Sequence, residues 1–322
     1  MHILITGITG MVGSHLAEYI LAHHPGVTVH GLVRWRSPLD NIQAILPQVQ
    51  LHYAELRDLN SLVVMLNKIK PERIFHLAAQ SFVTTSFDAP ADTIHTNVIG
   101  TTNLLDAVRL TGIDPLIHIC SSSEVYGQVT EDELPIRETN PFRPASPYAV
   151  SKTGEDMISL QYFLSYGIKT IRTRMFTHTG PRRGDFFAES AFAKQIAEIE
   201  MGLRPNPVLV GNLDSVRTFA DVRDAVRAYW LLLEKCTPGD VYNIGGDRTM
   251  TIGDMLEMLK SMANCTIEHQ IDPALLRPSD VTLQIPDTSK FRQQSGWKPE
   301  IPVEKTFQDL LDYHRDRIKR RS

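Results

Sequence analysis

The chain has 322 residues, of which 42% are hydrophobic and 22% are charged, and its net charge is −4. This is ordinary globular composition for one large domain or two unequal lobes, and the negative charge argues against general affinity for nucleic acids. Three widely spaced cysteines and the lack of an apolar run near ~18 residues predict a cytoplasmic protein without disulfides or a membrane span.

Short apolar runs alternate with helical patterns along the first half of the chain. The predicted strands are 2–6, 27–33, 73–77, 116–120 and 168–173. The predicted helices are 14–21, 58–69, 92–110 and 147–165. Alternating strands and helices indicate a parallel sheet covered on both faces, and right-handed crossovers then give a Rossmann-type, doubly wound α/β fold.

After about residue 176 the pattern is less regular and richer in proline and glycine. The predicted elements there are strands at 207–210 and 266–270 and helices at 186–202, 252–263 and 303–316. They indicate a smaller C-terminal α/β lobe. We therefore expect a dinucleotide-binding domain at 1–175, to which the chain returns at about 217–245, and a substrate-binding lobe in the rest of 176–322.

The first predicted strand runs into a glycine-rich turn before the first helix. Glycine permits a tight turn and a close approach of the backbone to a pyrophosphate at a helix N-terminus. A turn of this kind is weak evidence alone, but its place between strand and helix is the context that the mechanism requires. The predicted dinucleotide contacts are Gly7, Thr9, Gly10, Met11, Val12 and Gly13.

The second predicted strand ends at Arg34 and Arg36, where an acidic residue would bind a ribose 2′-hydroxyl and favour NAD. Arginine suits a 2′-phosphate instead, so we predict NADP, with two surface arginines of a loop as the alternative. Glu55 and Leu56 are predicted to lie near the adenine, after a strand that precedes them. Further cofactor contacts are predicted after the strand at 73–77, where tight packing is the alternative: Leu77, Ala78, Ala79 and Ser81.

Tyr148 and Lys152 are spaced to share one face of a predicted helix, and Ser122 and Glu124 precede them by about one β/α unit. A cationic lysine lowers the pKa of a neighbouring phenol. Such a tyrosine can take the proton of a sugar hydroxyl while hydride leaves the same carbon. Ser122 can hydrogen-bond that hydroxyl, and Glu124 adds a carboxylate that simple alcohol oxidation does not need. For the Tyr/Lys spacing alone, a solvated helix face is the alternative.

Together these features resemble the extended short-chain dehydrogenase/reductase family over essentially the whole chain. The glycine-rich turn, the stretch Ser121–Gly127 and the stretch Ser146–Lys152 carry the resemblance. The stretches Gly180–Gly184 and Arg277–Val281 narrow it toward GDP-sugar enzymes. The nearest likeness is to GDP-mannose 4,6-dehydratases and GDP-4-keto-6-deoxymannose reductases.

The resemblance implies roles by position. It makes Ser122, Glu124, Tyr148 and Lys152 catalytic, the last two also binding the cofactor together with His178 and Arg183. It implies substrate contacts at Ser81, Ser123, Thr177, Lys194, Asn212, Arg217, Arg277 and Asp280. The chain departs from the dehydratase pattern at Thr177, where asparagine is usual, at Ser190-Ala191, where a basic pair is usual, and at Phe192–Ile196, which is closer to the reductases.

We interpret the chain as an NADP-dependent nucleotide-sugar 4,6-dehydratase of GDP-mannose without a metal site. The alternatives are an NADPH-dependent reductase of the 4-keto-6-deoxy product, another nucleotide-sugar epimerase or decarboxylase of the family, and a non-catalytic dinucleotide sensor. A sensor would not need Ser122, Tyr148 and Lys152 together. The resemblance also implies a homodimer through the helices at 92–110 and 147–165, with burial inside one protomer as the alternative. Pairing of such dimers into a homotetramer through the loop at 34–41 is left open by the sequence.

Overall fold

The computed structural model describes residues 1–276 and 281–320, in which strands and helices alternate. The strands are β1 (His2–Thr6), β2 (Thr28–Val33), β3 (Val49–Tyr53), β4 (Arg73–His76), β5 (Leu116–Ser122), β6 (Thr170–Met175), β7 (His178–Thr179), β8 (Val208–Val210), β9 (Val216–Thr218), β10 (Ala220–Asp221), β11 (Val241–Ile244), β12 (Thr249–Thr251), β13 (His269–Ile271) and β14 (Leu283–Gln284). The α-helices are α1 (Met11–His23), α2 (Leu59–Ile69), α3 (Val83–Asp88), α4 (Pro90–Ile94), α5 (Gly100–Thr111), α6 (Pro147–Tyr166), α7 (Ala188–Glu200), α8 (Val222–Lys235), α9 (Ile252–Ser261), α10 (Ser289–Ser295) and α11 (Val303–Lys319).

A parallel sheet is the centre of the larger lobe. Over the two described ranges its seven strands lie in the order β11-β6-β5-β4-β1-β2-β3, and every neighbouring pair is parallel. The order reverses at β1, which has β4 on one side and β2 on the other. Ligands of such sheets bind at this reversal, outside the carboxyl ends of the strands. The Rossmann-type fold predicted from the sequence is confirmed.

Both faces of the sheet are covered by helices, which explains the continuous apolar runs of its strands. Ile3 and Ile5 of β1 pack on the side of α1 and α8, whereas Leu4 packs on the side of α2 and α5. All of these side chains are fully buried. After α7, which belongs to the smaller lobe, the chain returns to the sheet of the larger lobe: α8 packs on α1, and β11 pairs with β6.

The smaller C-terminal lobe packs α7, α9 and α11 around their own apolar cluster, which includes Phe192, Leu256, Phe307 and Leu310. Its strands are short, and β9 lies between β12 and β14. The predicted strand at 266–270 is displaced to β13, which pairs in parallel with β8. No helix in the described part of the chain has the length and apolar character needed to cross a bilayer.

The predicted helix at 92–110 is continuous in its backbone but is not α-helical throughout. Between α4 and α5 lies a π-helical turn, His95–Ile99. The Asn97 side chain in this turn donates from Nδ2 to the Gln80 carbonyl at 3.0 Å and accepts from the Gln80 amide at 2.8 Å. The sequence pattern predicts the apolar face of this helix. It cannot show that Asn97 bonds to the loop at Gln80, because that contact forms only in the folded chain.

Candidate active site

The carboxyl end of β5 and the start of α6 bring the predicted catalytic residues together. Ser122 ends β5 and caps a 3₁₀ turn over Ser123–Tyr126, its Oγ accepting from the Glu124 amide at 3.2 Å. Ser146 caps α6 in the same way, with Pro147 at the first helical position. These local signals place Tyr148 in the first turn of α6, beside the end of β5.

Tyr148 is buried, with 9% of its surface exposed. Burial raises the pKa of its phenol, while the Lys152 charge and a side-chain hydrogen bond with Ser122 lower it. The expectation from sequence counted Lys152 and could not count burial, so it is corrected here: in the unliganded protein the pKa of Tyr148 is above its ordinary value. The Lys152 ammonium and the Ser122 hydroxyl both lie close enough to the phenol to oppose this rise in its pKa.

Lys152 is fixed by the protein on two sides. Its Nζ donates to the Cys120 carbonyl at 2.8 Å and to Glu155 Oε2 at 2.7 Å. Burial opposes the charged form, but Glu155, Tyr148 and Cys120 favour it, and the pKa of Lys152 is raised. Lys152 is therefore held as an ammonium ion under the phenol. The sequence prediction did not include Glu155, one turn further along the same helix.

Asn97 is a further residue that the sequence prediction missed. Besides its bonds to Gln80, its Nδ2 donates to Ser151 Oγ at 2.9 Å, in the helix that carries Tyr148 and Lys152. It is almost fully buried. A polar residue inside the apolar pattern of the predicted helix 92–110 was the available signal. Asn97 therefore connects the loop after β4 to α6, the helix that carries Tyr148 and Lys152.

The glycine-rich turn lies between β1 and α1. Gly7 has a φ of +74°, and a Cβ at this position would come within 2.9 Å of the Ala78 amide nitrogen. Gly13 has no room for a Cβ against the Gly7 carbonyl. Gly10 caps α1 without a side-chain hydrogen bond, and the first turn has no acidic residue. The helix therefore presents its positive end to an anion.

The other predicted residues of this turn are placed around it. Met11 and Val12 pack against the core cluster on the α1 face of the sheet. The Thr9 carbonyl accepts from Asn41 Nδ2 at 2.9 Å. The loop after β4 lies alongside, since the Leu77 and Ala78 amides both donate to Thr6 Oγ1 at 3.1 Å. Ala79 is partly buried and Ser81 is exposed in the same loop.

Arg34 and Arg36 are exposed after β2. Arg34 lines a cavity of about 250 Å³ together with Trp35, Tyr53, Ala54, Glu55, Asp58 and Ser61. The Arg36 guanidinium lies 4.5 Å from the centre of the Trp35 ring. Leu56 is buried beside this cavity, and its carbonyl accepts from Asn103 Nδ2 at 2.9 Å. Cationic and aromatic groups thus meet where the second and third strands end.

The predicted contacts after β6 have protein partners. The Thr177 carbonyl accepts from the Ala220 amide at 3.0 Å. Burial, with the charge of Arg183, lowers the pKa of His178 to about 4, so its imidazole is neutral at pH 7. Arg183 Nε donates to Glu189 at 2.9 Å, and its guanidinium lies 3.3 Å from the centre of the Phe187 ring. Lys194 Nζ donates to Asp185 at 2.9 Å.

The substrate contacts predicted in the C-terminal lobe are also held by neighbours. Ser123 Oγ donates to Gln284 of β14. Arg217 of β9 donates to the Val216 and Val281 carbonyls at 3.0 and 2.5 Å. Asn212 Oδ1 accepts from the Asp214 amide at 2.9 Å. The two remaining predicted contacts, Arg277 and Asp280, lie outside the described residues.

Arg182 was not predicted, although it sits in the Gly180–Gly184 stretch. Its φ is +71°, a left-handed conformation that is uncommon outside glycine. The side chain donates to Ser14 Oγ at 3.1 Å and to Glu18 Oε1 at 2.6 Å. It links the loop after β7 to the helix that begins at the glycine-rich turn.

Comparison with known proteins matches residues 4–310 to the family model described as GDP-mannose 4,6 dehydratase. The chain is 34% identical to the GDP-mannose 4,6-dehydratase of Yersinia enterocolitica over 348 aligned positions, which cover 96% of the chain and 92% of that protein. It is 33% identical to the GDP-6-deoxy-D-mannose reductase of Pseudomonas aeruginosa over 317 positions, which cover 98% of each.

Solved structures show the same architecture. RMD from Pseudomonas aeruginosa, complexed with NADPH, is 32% identical and superposes with a TM-score of 0.86 over 98% of this chain and 99% of that chain. A UDP-glucose 4-epimerase from Thermotoga maritima, with UDP-glucose, is 27% identical with a TM-score of 0.89 over 99% and 100%.

Proposed function

The chain belongs to the GDP-mannose 4,6-dehydratase family, and we propose that it converts GDP-mannose to GDP-4-keto-6-deoxymannose with NADP as its resident cofactor. The observation that carries the proposal is the position of Glu124: it lies in the 3₁₀ turn that Ser122 caps, and the Ser122 side chain hydrogen-bonds the phenol of Tyr148, which interacts with the Lys152 charge. Oxidation of an alcohol uses the last three residues. A carboxylate beside them supplies the base that elimination requires.

The protein residues fit a dinucleotide phosphate. Gly7 and Gly13 leave the cradle that a Cβ would fill, and the N-terminus of α1 carries no competing acid. Arg34 and Arg36 would hold a 2′-phosphate beside the cavity that Trp35 lines. When bound, the nicotinamide supplies a hydride acceptor that also returns the hydride, so net consumption is not needed.

The protein side chains account for the proton movements. Tyr148, as phenolate, takes the proton of the C4 hydroxyl while Ser122 hydrogen-bonds its oxygen. The C4 ketone then acidifies the C5 proton. Glu124 removes this proton and delivers it to the C6 hydroxyl, which leaves as water. When the hydride is returned to C6, C5 takes a proton from Tyr148, which becomes a phenolate again. Lys152 stabilises the phenolate throughout, because its ammonium is held in place by Cys120 and Glu155.

The nucleotide is proposed to bind on the side of the C-terminal lobe. Arg217 and Lys194 would pair with the diphosphate, since guanidinium and ammonium donors suit its oxygens. Asn212, Ser123 and Thr177 supply further polar contacts along the same side. Arg277 and Asp280 are proposed contacts from the sequence alone.

The first test is incubation of the purified protein with GDP-mannose and with UDP-, dTDP- and other GDP-sugars, the products being identified by mass spectrometry and NMR. We expect GDP-mannose to lose one water and give the 4-keto-6-deoxy sugar without net change in NADPH absorbance. Preferred conversion of another nucleotide sugar would overturn the substrate assignment.

The second test is Glu124→Gln, which keeps the shape of the side chain and removes its basicity. It should block formation of the 4-keto-6-deoxy sugar while still allowing oxidation at C4, so that reduced cofactor accumulates when GDP-mannose is added. The matched control is Glu131→Gln, an exposed acid of the next 3₁₀ turn, which should retain wild-type activity. Normal turnover by Glu124→Gln would remove the assigned role.

The second candidate function is an NADPH-dependent reductase of the 4-keto-6-deoxy sugar. One observation favours it: the reductase relative aligns over 317 positions, close to the chain length, whereas the dehydratase relative needs 348. This reaction would use Ser122, Tyr148 and Lys152 but would not require Glu124. Stoichiometric loss of NADPH with the keto sugar, and no conversion of GDP-mannose, would establish it.

A homodimer in the cytoplasm is proposed as the working form. Leu104 and Leu105 of α5 are fully buried inside the protomer, but Ile94, Ile99 and Met157 remain 39%, 40% and 37% exposed on neighbouring helices. These side chains form an apolar face that a second copy would cover. Light scattering should give twice the 36.3 kDa chain mass, and Met157→Asp should give monomers. A wild-type monomer at micromolar concentration would contradict the proposal.

A further inference from the structure

Glu155 is a buried acidic residue that the proposed reaction does not use directly. Its side chain is 1% exposed and that of Lys152 is 5% exposed. Glu155 Oε2 lies 2.7 Å from Lys152 Nζ, a short charge-assisted hydrogen bond between groups three residues apart on α6. A carboxylate enclosed this completely is stable only with a partner, and Lys152 is the partner that the structure provides.

The neighbouring acid, Asp156, is engaged elsewhere. It accepts from Arg172 at 2.9 Å and from Arg174 at 2.9 Å, on the strand behind α6. Asp156 is therefore neutralised by these arginines and does not serve Lys152. Consecutive acids on one helix thus have separate partners, and the carboxyl group bonded to Lys152 is that of Glu155. Burial raises the pKa of Glu155 to about 7, while the charge and hydrogen bond of Lys152 lower it.

A lysine ammonium has three N–H donors. One bonds to the Cys120 carbonyl at 2.8 Å and another to Glu155. Because one acceptor is fixed on β5 and the other on α6, they determine the direction of the third N–H. This donor remains for the phenol of Tyr148 or for the cofactor. Loss of Glu155 would remove one of the two acceptors that direct the third N–H of Lys152. It would also remove the negative charge that keeps this buried lysine protonated.

The other titratable groups around the pair do not replace Glu155. Those that interact electrostatically with Lys152 or Glu155 are Tyr148 and Asp156 on α6, Cys120 and His118 on β5, and His76 on β4. Burial lowers the pKa of His76 and of His118 to about 3, so both are neutral at pH 7. Burial raises the pKa of the Cys120 thiol, which stays protonated.

We propose that Glu155 is a positioning residue that keeps the Lys152 ammonium charged and directed toward Tyr148. This inference rests on the proposed use of Tyr148 and Lys152 in the reaction. Glu155 itself touches neither the sugar nor the phenol. It acts through Lys152, which must stay cationic for the phenolate to form.

The test compares Glu155→Gln, Glu155→Asp and a control, Ser159→Ala. Ser159 is also buried on α6, and its hydroxyl bonds to the Glu155 backbone carbonyl rather than to the carboxylate. The first readout is the charge of Lys152, which is monitored by ¹³C NMR of protein labelled at lysine Cε. The Lys152 signal is assigned by its loss in the Lys152→Arg variant. The second readout is the pH dependence of kcat/KM.

Loss of the carboxylate should lower the pKa of Lys152 by about 1–3 units, the usual effect of an opposite charge at this distance. In Glu155→Gln the basic limb of the pH profile should move down by the same amount, because neutral Lys152 no longer favours the phenolate. Glu155→Asp keeps the charge and should restore much of the basic limb, and it provides the comparison if the glutamine variant does not fold. In the Ser159→Ala variant, Lys152 should titrate as it does in the wild type.

A purely structural role predicts a different result. Activity would then fall at every pH, with the Lys152 titration and the basic limb unmoved, and this outcome would overturn the proposal. The NMR measurement does not depend on turnover. If the protein converts neither GDP-mannose nor its keto product, the proposed function fails, while the titration of Lys152 still decides the role of Glu155.

Discussion

The β5–α6 side of the candidate site differs from the C-terminal lobe in how its polar side chains are held. On the β5–α6 side, Tyr148 and Lys152 are buried and bonded to groups of the same junction. On the lobe side, Lys194 and Arg217 are bonded to Asp185 and to backbone carbonyls. The groups proposed for the chemistry are therefore prearranged, whereas the cations proposed to bind the diphosphate would exchange protein partners for phosphate oxygens. Substitutions on the two sides should accordingly affect kcat and KM differently.

The largest effect is expected for Tyr148→Phe, which removes the proposed base and keeps the ring. The rate should fall by about 10²–10⁴, the usual contribution of a general base, while the cofactor remains bound. Steady-state kinetics and a cofactor-binding titration measure the two quantities. Near-normal kcat would show that the prearranged side of the site does not supply the base.

A smaller and different effect is expected for Arg217→Ala on the lobe side. Loss of a charge-assisted hydrogen bond to phosphate removes about 1.5–3 kcal/mol of binding, so KM should rise by about 10- to 100-fold with little change in kcat. The control is Arg204→Ala, at a surface ion pair with Glu198 on the same lobe. A fall in kcat without a change in KM would contradict the division between the two sides.

Cofactor preference tests a third region, the exposed loop after β2 that carries Arg34. Arg34→Ala should weaken NADPH binding by about 10-fold or more and leave NADH binding nearly unchanged, because only NADPH carries the 2′-phosphate. Fluorescence titrations with both cofactors measure the ratio. Equal affinities in the wild type, or an unchanged ratio in the variant, would remove the argument for NADP.

The smallest expected effect concerns acid stability of the sheet. Burial lowers the pKa of His118 to about 3, below its ordinary value of 6.5. The unfolded chain therefore binds a proton that the folded protein excludes, and stability present above pH 6.5 is lost as the pH falls toward 3. The slope for one histidine is about 1.4 kcal/mol per pH unit. His118→Asn should flatten the pH dependence of Tm between pH 6 and 4, whereas His95→Asn, at an exposed position, should not.

The sequence determined the features that depend on short stretches of chain. Apolar runs and their spacing predicted the parallel sheet. The glycines between the first strand and helix predicted the turn at Gly7, whose positive φ and contact with Ala78 leave no room for a side chain. The four-residue spacing of Tyr148 and Lys152 is also local and predicted that both side chains lie on one face of a helix; the Ser122 and Ser146 caps, seen only in the structure, are further local features.

Only the tertiary structure decided which distant groups face those residues. Burial of Tyr148, the bond between Asn97 and Gln80, and the link from Arg182 to Glu18 all join segments far apart in the chain. Glu155 shows the same limit at short range: its spacing from Lys152 was visible, but not its burial. Periodicity reports which face of a helix is apolar, whereas desolvation and charge pairing depend on what covers that face. For this reason the sequence could single out Ser122, Tyr148 and Lys152 as candidates but could not show the environment that sets their charges.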